Sequence, residues 1–354
     1  MPYKPGDITK GAASKAGEAT LGVARSARRK VFDEASKRGV HWWQLPLPGQ
    51  LAALALFRED LREFNLYGTE SPQNGGAAVM AEPPPYRTYD GSQTDPENPV
   101  MGKSGTRFGR NLPPEATFPE EQSMLDPSPR EVSNKLLNRD SFKPATTLNL
   151  LAACWLQFQN HDWFSHGDNS ETEFMQVPLS DGDGWDDGVM EVRRTSPDST
   201  NAGGKVPPTY INKVTPWWDA SQLYGSTEER NRELRSGEGG KLAMIDGRLP
   251  EETNKALNGV DLTGFSDNYW AGLSVMHTLF AKEHNAICDM LSSHHPTWED
   301  EQLFLKARLI NAALIAKIHT VEWTPGILAH PALELAMNAN WYGVLPKWVK
   351  QRFG

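Results

Sequence analysis

The sequence predicts a mainly α fold with long irregular connections. Apolar residues recur at helical spacing in Leu148–His166, Tyr269–Leu291 and Glu301–Trp323. Strand-like alternation is rare. Turn signals fill the space between the helical stretches: the proline triplet 83–85, Asp90-Gly91, and the Pro/Glu/Asp content of residues 93–130. With 354 residues the chain can form a large single domain or two ordinary ones.

Composition narrows the class. The formal charge is -9 and the pI about 5.5, which argues against nucleic acid as a partner. Cys154 and Cys288 both lie in apolar helical segments and read as free thiols, which fits a reducing, cytoplasmic setting. No apolar run reaches the roughly 18 residues of a membrane-spanning helix. The N-terminus carries no signal-peptide core.

Taken in order, residues 1–40 read as a mobile arm rich in Ala, Gly, Lys and Arg, with a weak amphipathic pattern. A basic membrane-surface helix is the sharper alternative, diluted by Glu18, Asp33 and Glu34. HWWQLP (41–46) leads into a helix over residues 51–67, lying on the core or on a lipid boundary, so peripheral membrane contact is a further expectation. Residues 68–147 read as an ordered wrapping segment, because Phe108, Phe118, Met124 and Leu125 are spread through it, with a short helix over 132–142. Residues 168–188 read as a solvated acidic loop; their spacing lacks the EF-hand order of ligands and glycine.

The helix within Leu148–His166 is the first candidate site. Leu148, Leu151, Ala152, Trp155 and Phe158 form a core-facing stripe, while Cys154, Gln157, Phe158 and His161 share one face. Gln157 and His161 make a small polar island, and Asp162 points elsewhere. A lone histidine in such a place is ordinarily a satisfied core residue. TPWWDAS is the second candidate. Thr215, Trp217, Asp219 and Ser221 alternate, so in an extended loop they point the same way. Two hydroxyls, a carboxylate and a backbone carbonyl suit Ca²⁺, and Asp162 is the natural second carboxylate. The competing reading is a capped turn in which Asp219 or Ser221 begins a helix. His277 and His284, seven apart, read as packing residues; His294 and His295 read as surface.

Gln157-x-x-x-His161-Asp162, TPWWDASQLYGS and HTLFAKEHN (277–285) together resemble the animal-type haem peroxidases. HWWQLP, FGRN (108–111), NHDWFSH (160–166), EHNAICD (283–289), ARLINAALIAKIHTVEWT (307–324) and NANWYG (338–343) resemble, in order, the fatty-acid α-dioxygenase branch of that superfamily. The resemblance runs from about residue 41 to the C-terminus. It implies a haem peroxidase-like helical fold, with 41–354 as its N-terminal, distal part. It implies His161 as the distal histidine over a haem b, Gln157 as its partner, and a calcium site of Asp162, Thr215, Trp217 (through its carbonyl), Asp219 and Ser221. It also implies that His319 and Thr324 bind a fatty-acid carboxylate, together with an arginine further on; spacing alone leaves them as a C-terminal-turn histidine and an exposed threonine.

Three departures accompany the resemblance. Asp267 stands where the family's distal arginine is expected, which weakens the case for hydrogen-peroxide chemistry. Asn160 and Trp270 stand where mammalian peroxidases carry ester-forming carboxylates, so haem is expected without covalent links. The proximal histidine and the radical-forming tyrosine would lie beyond NANWYG, so the chain reads as the distal half of a longer enzyme: a fragment, a split-gene product completed by a second polypeptide, or a truncated form. The leading function is oxygenation of a fatty acid at its α-carbon by O₂ through a tyrosyl radical. The alternatives are a hydrogen-peroxide-dependent peroxidase acting on small reductants, and a non-catalytic calcium-stabilised module.

Overall fold

The computed structural model describes residues 30–64, 84–96, 98–110, 112, 116, 124–185, 188–200, 207–254, 257 and 259–343. The expected N-terminal arm lies outside them up to residue 29, and residues 30–37 are helical. Residues 65–83 and most of 111–123, part of the expected wrapping segment, also lie outside. As expected, the fold is mainly helical. The chain divides into two compact units, residues 69–108 with 113–313, and residues 1–68 with 109–112 and 314–354. Among the described residues no helix is long and apolar enough to cross a membrane.

The larger unit is built on three helices. Helix α3 (Leu150–Trp163) is capped by Asn149, whose side chain accepts from the Leu151 N–H at 3.0 Å. It packs on α6 (Ala271–His294) through Trp155, Phe158 and Phe280; the Phe158 and Phe280 rings stack at 5.3 Å. Gly272 permits this approach, since a Cβ there would lie 2.6 Å from the Cys154 sulfur. Helix α7 (Asp300–Lys317) closes a second cluster, in which Leu303 and Ala307 meet Ile287, Cys288 and Leu291. Short helices complete the unit: α2 (Pro129–Val132), which continues as a π turn over Ser133–Leu137, then α4 (Ser221–Tyr224) and α5 (Glu228–Leu234).

Two sequence expectations are corrected here. The stripe on α3 is narrower than predicted: Leu148 and Leu151 are 47% and 52% exposed, and Cys154, Trp155, Phe158, His161 and Asp162 fill the buried side. Residues 168–188 do not form an acidic loop. They supply β1 (Asn169–Pro178), which pairs antiparallel with β2 (Val189–Thr195). Acidic side chains hid the pattern, because β1 exposes most of its residues, β2 buries none fully, and of the two strands only Val177 is buried. Cross-strand pairs such as Gln176–Glu191 (2.8 Å) join the strands, and a register irregularity between Asn169 and Phe174 further breaks the alternation. Asp183, in the connecting turn, takes a two-pronged ion pair from Arg130 at 2.8 Å, which lowers its carboxyl to about 2.

In the smaller unit a 3₁₀ turn (Trp42–Gln44) precedes α1 (Leu47–Phe64), earlier by a few residues than the sequence predicts. Trp42 meets Phe57 edge-on at 5.6 Å. After Lys317 the chain changes to a π turn (Ile318–Trp323), then α8 (Thr324–Ile327) and α9 (Pro331–Tyr342). Helix α9 packs on both α1 and the π turn.

Candidate active site and cation site

His161 and Gln157 come together on α3 as their four-residue spacing predicts. His161 is 7% exposed, and burial lowers its pKa to about 4, so the imidazole is neutral at physiological pH. Its ring stands edge-on to Phe265 at 4.7 Å. Gln157 Nε2 lies 3.5 Å from His161 Nε2 and donates to the Asn268 carbonyl at 2.9 Å; Gln157 Oε1 accepts from the Trp270 indole N–H at 2.7 Å. His161 Nδ1 is buried without a hydrogen-bond partner, and so are both ring nitrogens of His277, which is wedged beside Phe158 and Tyr269. A neutral imidazole with an amide beside it can accept, hold and return one proton. Asp267 is exposed on the loop that carries Asn268 and Trp270.

The residue after His161 leads directly to the TPWWDAS set. Asp162 is 0% exposed, and its Oδ1 accepts from the Ser221 N–H at 2.6 Å. The Ser221 hydroxyl lies 2.9 Å from the Asp162 carbonyl and 3.1 Å from Oδ1. Asp219 accepts from the Thr215 hydroxyl at 2.8 and 2.9 Å, and its N–H donates to the Trp217 carbonyl at 2.6 Å. Thus Asp162, Thr215, Asp219 and Ser221 are buried close together, with half-buried Trp217 joined to them through its carbonyl, although the loop is tightly turned where the sequence suggested an extended run. Ser221 is the first residue of α4, as the capped-turn reading allowed, but neither it nor Asp219 is the N-cap. That place falls to Ala220, held in the left-handed region at φ 58°. Close backbone packing fixes the turn, because a Cβ on Gly264 would lie 2.3 Å from the Ser221 carbonyl oxygen.

Electrostatics in this neighbourhood disfavour two uncompensated carboxylate charges. Burial raises the Asp219 carboxyl to about 6, with Arg308 only partly opposing it. Burial, and then the Asp219 charge, raise Asp162 well above the ordinary range, and Asp162 Oδ2 has no hydrogen-bond partner. Among the described residues no three His, Cys, Asp or Glu side chains converge on a metal position. A cation here would rely on two carboxylates with hydroxyl and carbonyl oxygens, the donor set of a hard divalent ion.

Some site residues escaped the sequence reading. Arg308, 4% exposed, reaches within 3.9 Å of Asp219 Oδ2 and donates to the Arg87 and Thr88 carbonyls at 3.1 and 3.2 Å. Its signal was present: a charge on the apolar stripe of Phe304, Ala307 and Ile315. Tyr224, His284 and Asn311 form a second buried network; the Tyr224 hydroxyl lies 2.8 Å from His284 Nδ1 and accepts from Asn311 Nδ2 at 2.9 Å. His319 and Thr324 lie in the smaller unit, both partly buried. The π turn gives an i→i+5 backbone bond from the Thr324 N–H to the His319 carbonyl, which brings residues five apart onto one face. The Thr324 hydroxyl donates to the same carbonyl at 2.8 Å, and burial lowers the His319 pKa.

Comparison with known proteins places these features in a family. Residues 86–353 match the animal haem peroxidase family. The chain is 36% identical over 316 residues to alpha-dioxygenase PIOX of Oryza sativa subsp. japonica, covering 88% of this chain and 50% of that protein. It is also 36% identical over 328 residues to alpha-dioxygenase PIOX of Pisum sativum, covering 92% and 49%. Among solved structures it is similar to Oryza sativa fatty acid alpha-dioxygenase, with TM-score 0.77 at 36% identity over 91% of this chain and 52% of that one. The Arabidopsis thaliana fatty acid alpha-dioxygenase gives TM-score 0.77 at 33% identity, over 92% and 50%. The chain spans about half the length of the curated relatives it matches. With the family match covering most of its length, the chain belongs to the animal haem peroxidase family.

Proposed function

We propose that this chain forms the distal part of a haem-dependent oxygenase that adds O₂ to a fatty acid at its α-carbon. The observation that carries the reading is the pairing of His161 with Gln157, one residue from the buried Asp162–Asp219 neighbourhood. The residues fit a haem on this side. His161 is neutral, with a buried nitrogen that no other described residue engages, and an amide stands beside it. Non-covalent binding fits as well, since Asn160 is exposed and the Trp270 indole is engaged with Gln157. Bound haem b would supply the redox chemistry and the protein its placement. His161 would hold or pass a proton at its face, and Gln157 would orient the imidazole. Calcium at Asp162, Thr215, Trp217, Asp219 and Ser221 would fix the end of α3, and with it the direction of the ring.

Similarity to the rice and pea α-dioxygenases supports a fatty acid and O₂ as substrates. His319 and Thr324 are proposed as the carboxylate anchor, which would hold a fatty acid by its head group. Thr324 would then redirect its hydroxyl from the His319 carbonyl to the substrate. The proximal ligand and the radical tyrosine are proposed to lie outside residues 1–354, in the same or in a second polypeptide. The exposed Val275, Leu279 and Met290, which share one face of α6, support a packing partner there. Exposed Trp43, Leu47 and Phe57 support peripheral contact with lipid. The experiment is fatty-acid-dependent O₂ uptake with haem and the complementary half present, with product analysis. A 2-hydroperoxy acid is expected; hydrogen-peroxide-dependent oxidation of small reductants without O₂ uptake would replace this reading with the peroxidase one.

A further inference from the structure

We infer that Trp270 is a positioning residue that sets the tautomer of His161 through Gln157. The argument rests on hydrogen-bond polarity. An indole N–H can only donate, so the Gln157 atom 2.7 Å from Trp270 Nε1 is the amide oxygen. A backbone carbonyl can only accept, so the Gln157 atom 2.9 Å from the Asn268 oxygen is the amide nitrogen. Two partners of fixed and opposite polarity therefore determine the amide orientation, which geometry alone would leave ambiguous.

The consequence passes to the imidazole. The amide nitrogen, a donor, faces His161 Nε2 at 3.5 Å. His161 Nε2 must then carry the lone pair, and the ring proton sits on Nδ1. No other described group competes for this choice, because Nδ1 has no hydrogen-bond partner. Among the described residues Gln157 is the one hydrogen-bonding contact that distinguishes the two nitrogens, and Trp270 holds Gln157 in the orientation that does so.

The loop is built to hold that indole. Asn268 adopts φ 48°, a left-handed conformation that asparagine tolerates better than most residues, and so presents its carbonyl to Gln157. Two residues on, Gly272 leaves room for the ring, since a Cβ there would lie 2.4 Å from the Trp270 six-membered ring. The meaning of the tautomer for function rests on the proposed distal role of His161: the ring would carry its proton on the buried, unengaged Nδ1 while its lone pair stays turned to Gln157. The tautomer itself is measurable without haem, so failure of one claim is distinguishable from failure of the other.

The experiment is long-range proton–nitrogen correlation NMR on the full chain with labelled histidine, at about pH 8, above the ordinary histidine range. Wild type should show a pyridine-type Nε2 and a pyrrole-type Nδ1 for His161. Trp270→Phe keeps an aromatic ring but removes the donor, and both nitrogens should shift toward averaged positions. Gln157→Glu keeps an acceptor for the indole but loses the donor to His161, so the proton should move to Nε2. Should Trp270→Phe fail to fold, indole hydrogen exchange replaces it: the Trp270 N–H should be protected in wild type and lose that protection in Gln157→Met. A proton on Nε2 in wild type, an unchanged His161 in folded Trp270→Phe or in Gln157→Glu, or equal indole exchange in wild type and Gln157→Met would overturn the inference.

Discussion

Replacing Asp219 by Asn should change stability in opposite directions with and without calcium. Asp219 and Asp162 are 1% and 0% exposed, and burial raises the Asp219 carboxyl from 3.8 to about 6. A group raised this far is ionised at neutral pH at a cost of roughly 3 kcal/mol to the folded state, at about 1.36 kcal/mol per pH unit. Asparagine carries no charge, so in EDTA the variant should be more stable than wild type by up to roughly 3 kcal/mol. Calcium reverses the order, because it binds the paired carboxylates of the folded wild type. At a thousandfold excess over Kd it adds about 4.1 kcal/mol, more than the variant's advantage in EDTA. With roughly 2.1 cal/mol/K of unfolding entropy per residue over 354 residues, the corresponding rise in Tm is about 6 °C. Asp219→Asn should lose most of that increment. Calorimetric melts of both proteins, in EDTA and in calcium, provide the test. Superimposable wild-type melts in the two buffers would refute the cation site.

Further predictions follow from the buried polar groups. Burial lowers His284 from 6.5 to about 4 and His277 to about 3. Below 6.5 the unfolded chain takes protons that the folded chain refuses, so stability is complete above that pH and falls as pH drops toward 4, by roughly 3 kcal/mol for His284. Urea unfolding across that range should show this loss, and a flat profile would contradict it. Tyr224→Phe leaves His284 Nδ1 and Asn311 Nδ2 without their hydroxyl partner and should cost about 1–3 kcal/mol by chemical denaturation. In the completed enzyme, His319→Gln should erase the preference for a fatty acid over its methyl ester. Equal rates for both substrates in wild type would remove the carboxylate anchor.

What the sequence made legible follows the kind of signal involved. Gln157 and His161 met because a four-residue spacing has one meaning in an α helix. Asp162, Thr215, Asp219 and Ser221 share a neighbourhood, but their turned geometry was hidden: nothing local shows Ala220 at positive φ or the backbone of Gly264 pressed against Ser221. Leu148 and Leu151 misled because apolar periodicity shows a face without saying whether anything covers it. The β1–β2 hairpin was masked by exposed acidic residues, since a two-stranded ribbon needs only weak alternation. The π turn after Lys317 was invisible to α-helical spacing, yet it alone brings His319 and Thr324 onto one face. Trp270 and Asn268 lie 113 and 111 residues from Gln157, and only the fold joins them.

The most direct test of the central claim compares wild type with His161→Gln. Each would be combined with haem and with the complementary half of the rice α-dioxygenase, and O₂ uptake measured with palmitic acid. Fatty-acid-dependent uptake by wild type, lost in His161→Gln at unchanged haem absorbance, is the result this account predicts. Equal uptake by the two proteins, or none above the haem blank for wild type, would contradict it.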